Sequence, residues 1–188
     1  MTIVTILGGP RKKGSTALML GIMEDHFRQA GHAVDRINIT EFDVKCCISC
    51  YKCRKSSDEP GCSLKDDAMS IFERMMGADV IVYSTPLYCW SWAAQIKPLI
   101  DRHYCLVKDY GSKNHRSFIQ NSKSALLMTC GGPLENNAEL LVKAYDYLMD
   151  YCNIKNPVNL VIPFCASPGS ISDEHKDKAR QLAQSLIS

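Results

Sequence analysis

The chain has 188 residues, a formal net charge of +2 and an apolar content of 46%. That length suits one domain over residues 1–188 better than two, with enough apolar residues for a sizeable core. The near-neutral balance argues against a protein built to hold nucleic acid, which concentrates basic charge on one face; no apolar run approaches the roughly 20 residues that span a bilayer.

Thr2 to Leu7 is β-branched and apolar and reads as a short buried strand, not as an export signal, for which Met1 to Gly8 is too short. Gly8, Gly9 and Pro10 end it. Ser15 and Thr16 then offer N-cap hydroxyls to a helix reaching about Ala30, with Met19, Ile22, Met23, Phe27 and Ala30 at helical spacing. Ala33 to Ile39 is a second strand, and Thr40 to Lys65 is irregular, with a cysteine-rich loop over 45–65. Asp66 and Asp67 open a helix to about Met76, their charges suiting its N-terminal dipole. Ala78 to Ser84 is the strongest buried-strand signal. A loop, Thr85 to Trp92, leads into a helix ending near His103, with Pro98 expected in its first turn or at a kink. Cys105 to Ser122 is a polar connection, Lys123 to Thr129 a fourth strand, and Cys130 to Asn137 a loop before a helix to about Tyr151. Pro157 to Phe164 is a fifth strand, and Ser172 to about Ile187 a closing helix.

Five strands alternating with helices predict an α/β fold with a parallel sheet, helices on both faces and right-handed crossovers. Ligands of such folds bind beyond the carboxyl ends of the strands. Attention therefore falls on the loops after the first, third and fourth strands.

The first, Gly8 to Thr16, combines glycines that let the backbone approach an anion with a helix N-terminus and two hydroxyl donors. A phosphate fits this chemistry. The spacing nearly matches a P-loop, but Ser15 stands where that motif needs its lysine, so a terminal monophosphate suits the loop better than a triphosphate. The alternative is a turn with an N-cap. The second loop, Ser84 to Trp92, places Tyr88, Trp90 and Trp92 at a strand's end, where rings suit a flat, partly apolar ligand or simply cover a neighbouring helix or subunit. The third, Thr129-Cys130-Gly131-Gly132-Pro133, lets backbone pass close to the same ligand or makes a tight turn.

Together these runs, Gly8-Gly-Pro-Arg-Lys-Lys-Gly-Ser-Thr16, Thr85-Pro-Leu-Tyr88 and Ala94-Gln-Ile-Lys-Pro-Leu-Ile-Asp-Arg102, resemble the flavodoxin-like NAD(P)H-dependent FMN reductases and their iron–sulfur flavoprotein relatives. The resemblance covers nearly the whole chain. It implies a three-layer sandwich with strand order 2-1-3-4-5 and FMN as cofactor. It implies that Gly9, Pro10, Arg11, Lys13, Gly14, Ser15 and Thr16 form the FMN phosphate site. Pro86, Leu87, Tyr88, Cys89 and Trp90 would edge the isoalloxazine, with Thr129, Cys130, Gly131 and Gly132 on its other side. Gly9 stands where the family usually has Ser, which removes one hydroxyl from the phosphate site. The family is commonly dimeric or tetrameric, so a homodimer or homotetramer is implied.

Cys46, Cys47, Cys50, Cys53 and Cys62 fall close together. The frame Cys47-x2-Cys50-x2-Cys53-x8-Cys62 resembles the loop that holds a 4Fe-4S cluster in iron–sulfur flavoproteins, with a slightly longer last gap. Relatives with similar cysteines and no cluster leave plain thiols open, and four thiolates could also take zinc. Ten cysteines without an export signal point to a reducing, cytoplasmic setting. Cys89 and Cys130 fall near the expected flavin. Cys105, Cys152 and Cys165 read as small buried hydrophobes. His26 and His175 belong on helix surfaces, and His103 at a helix end, where a cation favours the dipole. No catalytic residue is assigned, because the cofactor carries the chemistry. NAD(P)H is the expected donor, and a quinone, flavin or other small molecule the expected acceptor. A backbone N–H near Leu87 to Cys89 is expected to face flavin N5. The alternative is an electron carrier with a cluster on the 47–62 loop and a ferredoxin-type partner. No nucleic-acid or membrane partner is expected.

Overall fold

The computed structural model describes residues 1–188. In chain order the strands are β1 (Thr2–Leu7), β2 (Ala33–Asn38), β3 (Val80–Pro86), β4 (Val107–Lys108), β5 (Arg116–Ser117), β6 (Lys123–Thr129) and β7 (Val158–Ile162). The α-helices are α1 (Ser15–Gln29), α2 (Ala68–Met76), α3 (Lys97–Asp101), α4 (Glu139–Tyr151) and α5 (Asp173–Ile187). Five strands form one sheet in the order β2-β1-β3-β6-β7, every pairing parallel. Set aside the small antiparallel pair β4–β5 and this is the expected 2-1-3-4-5 order.

Side chains alternate across a strand, so each central strand feeds two cores. Ile3 and Leu7 of β1 join Val80, Val82, Ala125 and Leu127 against Met19, Met23 and Phe27 of α1 and Ala179, Ala183 and Leu186 of α5. Val4 and Ile6 join Ile81, Tyr83, Leu126 and Met128 against Phe72 of α2, Leu99 of α3 and Leu141, Tyr145 and Met149 of α4. Burial on both faces explains why β1, β3 and β6 read as continuous apolar runs. Thr5, mid-β1 on the α1 side, is satisfied by Glu24 Oε1 at 2.6 Å, and Arg36 supplies that buried carboxylate with a counter-charge.

Several expectations change in detail. Ser15 and Thr16 lie inside α1; its N-cap is Gly14, and no side chain caps the helix. β3 runs on to Pro86 because its last residues stay paired with β6 as far as Thr129. Pro98 sits in the first turn of α3, where its missing N–H has no helical role. The polar connection contains β4 and β5. His103 is fully buried, not an exposed cation: Nδ1 meets the Leu99 carbonyl at 2.9 Å and Nε2 the Tyr83 hydroxyl at 2.8 Å. Burial lowers its pKa to about 4, so it stays neutral and serves the core. Cys105, Cys152 and Cys165 are buried as expected. No helix is long and apolar enough to cross a membrane.

Candidate functional site

The parallel order places the ends of β1, β3 and β6 side by side, with the start of α1 above them. After β1 the chain passes very close to β3. A Cβ on Gly8 would stand 2.8 Å from the Ser84 carbonyl, and one on Gly9 would stand 2.7 Å from Pro86 Cδ. The Gly8 N–H donates to that Ser84 oxygen at 2.7 Å. The room for the serine that the resemblance would place at position 9 is thus occupied by the Pro86 ring.

The loop then forms a pocket lined by Gly9, Pro10, Arg11, Gly14, Ser15 and Thr16, closed by Pro86 and Tyr88 from β3 and its loop. It opens at the α1 N-terminus, whose first-turn N–H groups have no helical acceptor and carry partial positive charge. Ser15 is 3% exposed, and its Oγ lies beside the Cys165 thiol without making a regular hydrogen bond. The pocket's capacity for an anion rests on the first-turn N–H groups, Arg11 and the Thr16 hydroxyl. Lys13 does not line this pocket, and Lys12 turns away to Glu41 at 2.5 Å.

Beyond Pro86 the chain makes a tight reversal. Tyr88 and Ser91 exchange backbone hydrogen bonds at 3.2 and 3.0 Å, with Cys89 and Trp90 between them at φ 47° and 59°. Two successive left-handed residues without glycine hold strain. The Leu87 N–H is taken by the Thr129 carbonyl at 2.9 Å and the Tyr88 N–H by Ser91, which leaves the Cys89 N–H without an acceptor. Tyr88 and Trp90 are exposed and Leu87 is half-buried. On the β6 side, the Cys130 thiol donates to the Gly132 carbonyl at 3.2 Å, and burial raises its pKa. Gly131 is open to solvent, while Gly132 receives the Phe164 N–H at 3.4 Å. Thr129 is buried, and its Oγ1 lies 2.6 Å from Thr16 Oγ1. That hydroxyl is engaged with α1.

The cysteine loop forms a second feature. Cys47, Cys50, Cys53 and Cys62 line one cavity of about 330 Å³ together with Arg102, Tyr51 and Tyr104. Cys105 lines it too, although it was expected to be only a buried hydrophobe; burial raises its pKa to about 12. Arg102 is 2% exposed and forms an ion pair with Asp66. Its Nη2 reaches Cys62 Sγ at 3.4 Å, and its Nε has no partner. Lys108 Nζ donates to the Cys53 carbonyl at 2.8 Å. The thiol donors and adjoining buried cations suit a negatively charged sulfur ligand set in kind. They are not gathered as a ligand set: no three His, Cys, Asp or Glu side chains converge to hold a metal ion. Of the open alternatives, neither a zinc site nor a cluster site is preformed. Cys47 and Cys50 stand on the exposed side of the loop, and Cys53 and Cys62 are half-buried on the inner side.

Sequence reasoning named Asp66 only as a helix start and Arg102 only within the Ala94–Arg102 run, and missed that they pair beside this cavity. Their 36-residue separation hides the pair.

The sequence model of a family described as NADPH-dependent FMN reductase matches residues 1–161. An iron-sulfur flavoprotein of Archaeoglobus fulgidus is 33% identical over 102 residues, 54% of this chain and 48% of the relative, so the match spans about half of that relative's length. A second iron-sulfur flavoprotein of that organism is 25% identical over 191 residues, covering 99% of this chain and 79% of the relative. Among solved structures, the NAD(P)H:quinone oxidoreductase from Methanothermobacter marburgensis superposes with a TM-score of 0.78 at 20% identity, covering 99% of this chain and 98% of that one.

Proposed function

The chain belongs to the NADPH-dependent FMN reductase family, and on that premise we propose that it is an FMN-dependent oxidoreductase passing electrons from NAD(P)H to a small acceptor such as a quinone or a flavin. The observation that carries this reading is the pocket at the α1 N-terminus, whose first-turn N–H groups have no helical acceptor. A terminal phosphate accepts from those N–H groups, the Thr16 hydroxyl and Arg11. FMN, when bound, supplies hydride and single-electron chemistry. The chain supplies position and charge. The Pro86–Trp90 segment offers an apolar edge and a free Cys89 N–H as donor to the ring. Gly131 and Gly132 leave room on the opposite side. The exposed Tyr88 and Trp90 suit a homodimer or homotetramer in which a second copy covers the crevice. Ten free thiols suit a cytoplasmic location, and the sheet uniting β1 to β7 favours one domain over 1–188.

The test is a flavin spectrum of the purified protein followed by steady-state NADH and NADPH oxidation with a quinone. Oxidation above a free-FMN control is expected. A rate equal to that control refutes the enzyme reading, and failure to take up FMN refutes the cofactor.

The cysteine cavity favours one further reading, an iron–sulfur electron carrier serving a ferredoxin-type partner. In it, Cys47, Cys50, Cys53 and Cys62 would hold a 4Fe-4S cluster, and Arg102 and Lys108 would offset its charge. Iron and acid-labile sulfide assayed on anaerobically purified protein decide it: about four irons per chain support a cubane, and none rejects it.

A further inference from the structure

Thr129 touches both halves of the cofactor crevice. It ends β6, is 3% exposed, and its carbonyl holds the Leu87 N–H while its hydroxyl meets Thr16. Thr16 lines the phosphate-loop pocket and Thr129 stands behind it. At 2.6 Å the two hydroxyls form a tight hydrogen bond, and neither has another partner in the protein. In such a pair one oxygen donates and the other accepts. If Thr16 donates to Thr129, its proton is turned out of the pocket and only its lone pairs face the anion. If Thr129 donates, the Thr16 proton is free for a phosphate oxygen. The second arrangement satisfies both hydroxyls and lines up a Thr129→Thr16→phosphate chain whose members polarise one another.

We propose that Thr129 is a positioning residue that fixes the Thr16 hydroxyl as a donor and thereby makes the site select a flavin carrying a terminal phosphate over one without it. This rests on the FMN reading above. The link from Thr129 to Leu87 runs through its carbonyl, so replacing the hydroxyl leaves the ring-side loop tied in place. Valine puts a methyl in place of the hydroxyl, 2.6 Å from the Thr16 oxygen in the parent geometry, and alanine removes the hydroxyl without that crowding.

The experiment titrates apo-protein with FMN and with riboflavin by fluorescence quenching, for the parent chain, Thr129→Val, Thr129→Ser, Thr16→Val and the Thr16→Val/Thr129→Val double variant. Thr129→Val raises the FMN Kd about tenfold, a loss of about 1.4 kcal/mol, and moves the riboflavin Kd by less than about twofold. Thr129→Ser retains FMN affinity, and the double variant binds FMN no more weakly than Thr16→Val, because the two hydroxyls act as one unit. If Thr129→Val fails to fold by thermal unfolding, Thr129→Ala carries the same comparison. Equal weakening toward FMN and riboflavin, unchanged FMN affinity, or a Thr129→Ser variant as weak as Thr129→Val overturns the proposal. A parent chain that binds both flavins equally also overturns it. A parent chain that binds neither removes the FMN reading itself, and the proposal with it.

Discussion

Replacing Gly9 with alanine tests whether the close approach of the first loop to β3 is what shapes the phosphate pocket. An added Cβ would stand 2.7 Å from Pro86 Cδ and 3.1 Å from Cγ. Carbon atoms in contact prefer about 3.5–4.0 Å, so roughly 1 Å of movement is required. The obstacle cannot swing aside: it is a proline ring on a strand whose register with β6 runs to Pro86 opposite Thr129. The loop must therefore withdraw, and with it the Ser15 and Thr16 hydroxyls. Overpacking of this kind costs about 1–3 kcal/mol. Borne by the bound state, that weakens FMN by about 5- to 150-fold. Gly9→Ser meets the same ring, so supplying the hydroxyl that the resemblance expects lowers affinity. Fluorescence titration of FMN into apo-protein measures the loss, and thermal unfolding shows how much falls on the free chain. Pro86→Ala removes Cγ and Cδ, so the Gly9→Ala/Pro86→Ala pair should recover part of it. Gly9→Ala with parental affinity and melting temperature, or effects that add within about 0.5 kcal/mol, refutes the reasoning.

Ser15→Ala removes a buried hydroxyl that makes no regular hydrogen bond; thermal unfolding of apo-protein should show stability unchanged or raised by up to about 1 kcal/mol, while FMN affinity falls. Cys89→Gly relieves a left-handed residue at φ 47°, a gain of about 1–2 kcal/mol that glycine's larger unfolded-state entropy cuts to about 0.5–1 kcal/mol, raising the melting temperature by about 2–4 °C per kcal/mol; a lower temperature contradicts the strain. Buried His103 is harder to protonate folded than unfolded, with a folded pKa of about 4. Stability present above pH 6.5 is thus lost as pH falls toward 4, by about 3 kcal/mol. Urea unfolding should show this loss reduced in His103→Gln, and parallel pH profiles for the two chains refute it. Asp66→Ala leaves the Arg102 guanidinium buried without its counter-charge and should cost about 3–5 kcal/mol, measured by the same unfolding; a loss under about 1 kcal/mol means that the pair is solvated.

The strands were legible because burial on both faces leaves a local mark: Thr2–Leu7 and Lys123–Thr129 stand where their apolar runs place them. The glycines and hydroxyls of the first loop were legible for a similar reason, since helix starts and anion sites use few residue types. Local chemistry did not reveal which groups would be spent. Ser15 and Thr16 looked alike as capping hydroxyls, yet one lies beside the Cys165 thiol and the other is bound to Thr129, 113 residues away. His103 looked like a helix-end cation, and Tyr83, 20 residues earlier on β3, makes it a neutral core group. The cysteine spacing suggested a ligand set, but the loop's anchorage to Arg102 and Lys108 decides which thiols face one cavity. Periodicity and residue type are properties of neighbours in the chain and determined the layers and the candidate loops. Protonation, hydrogen-bond partnership and the room for a single Cβ depend on atoms brought together across the sheet, and only the tertiary structure decided those.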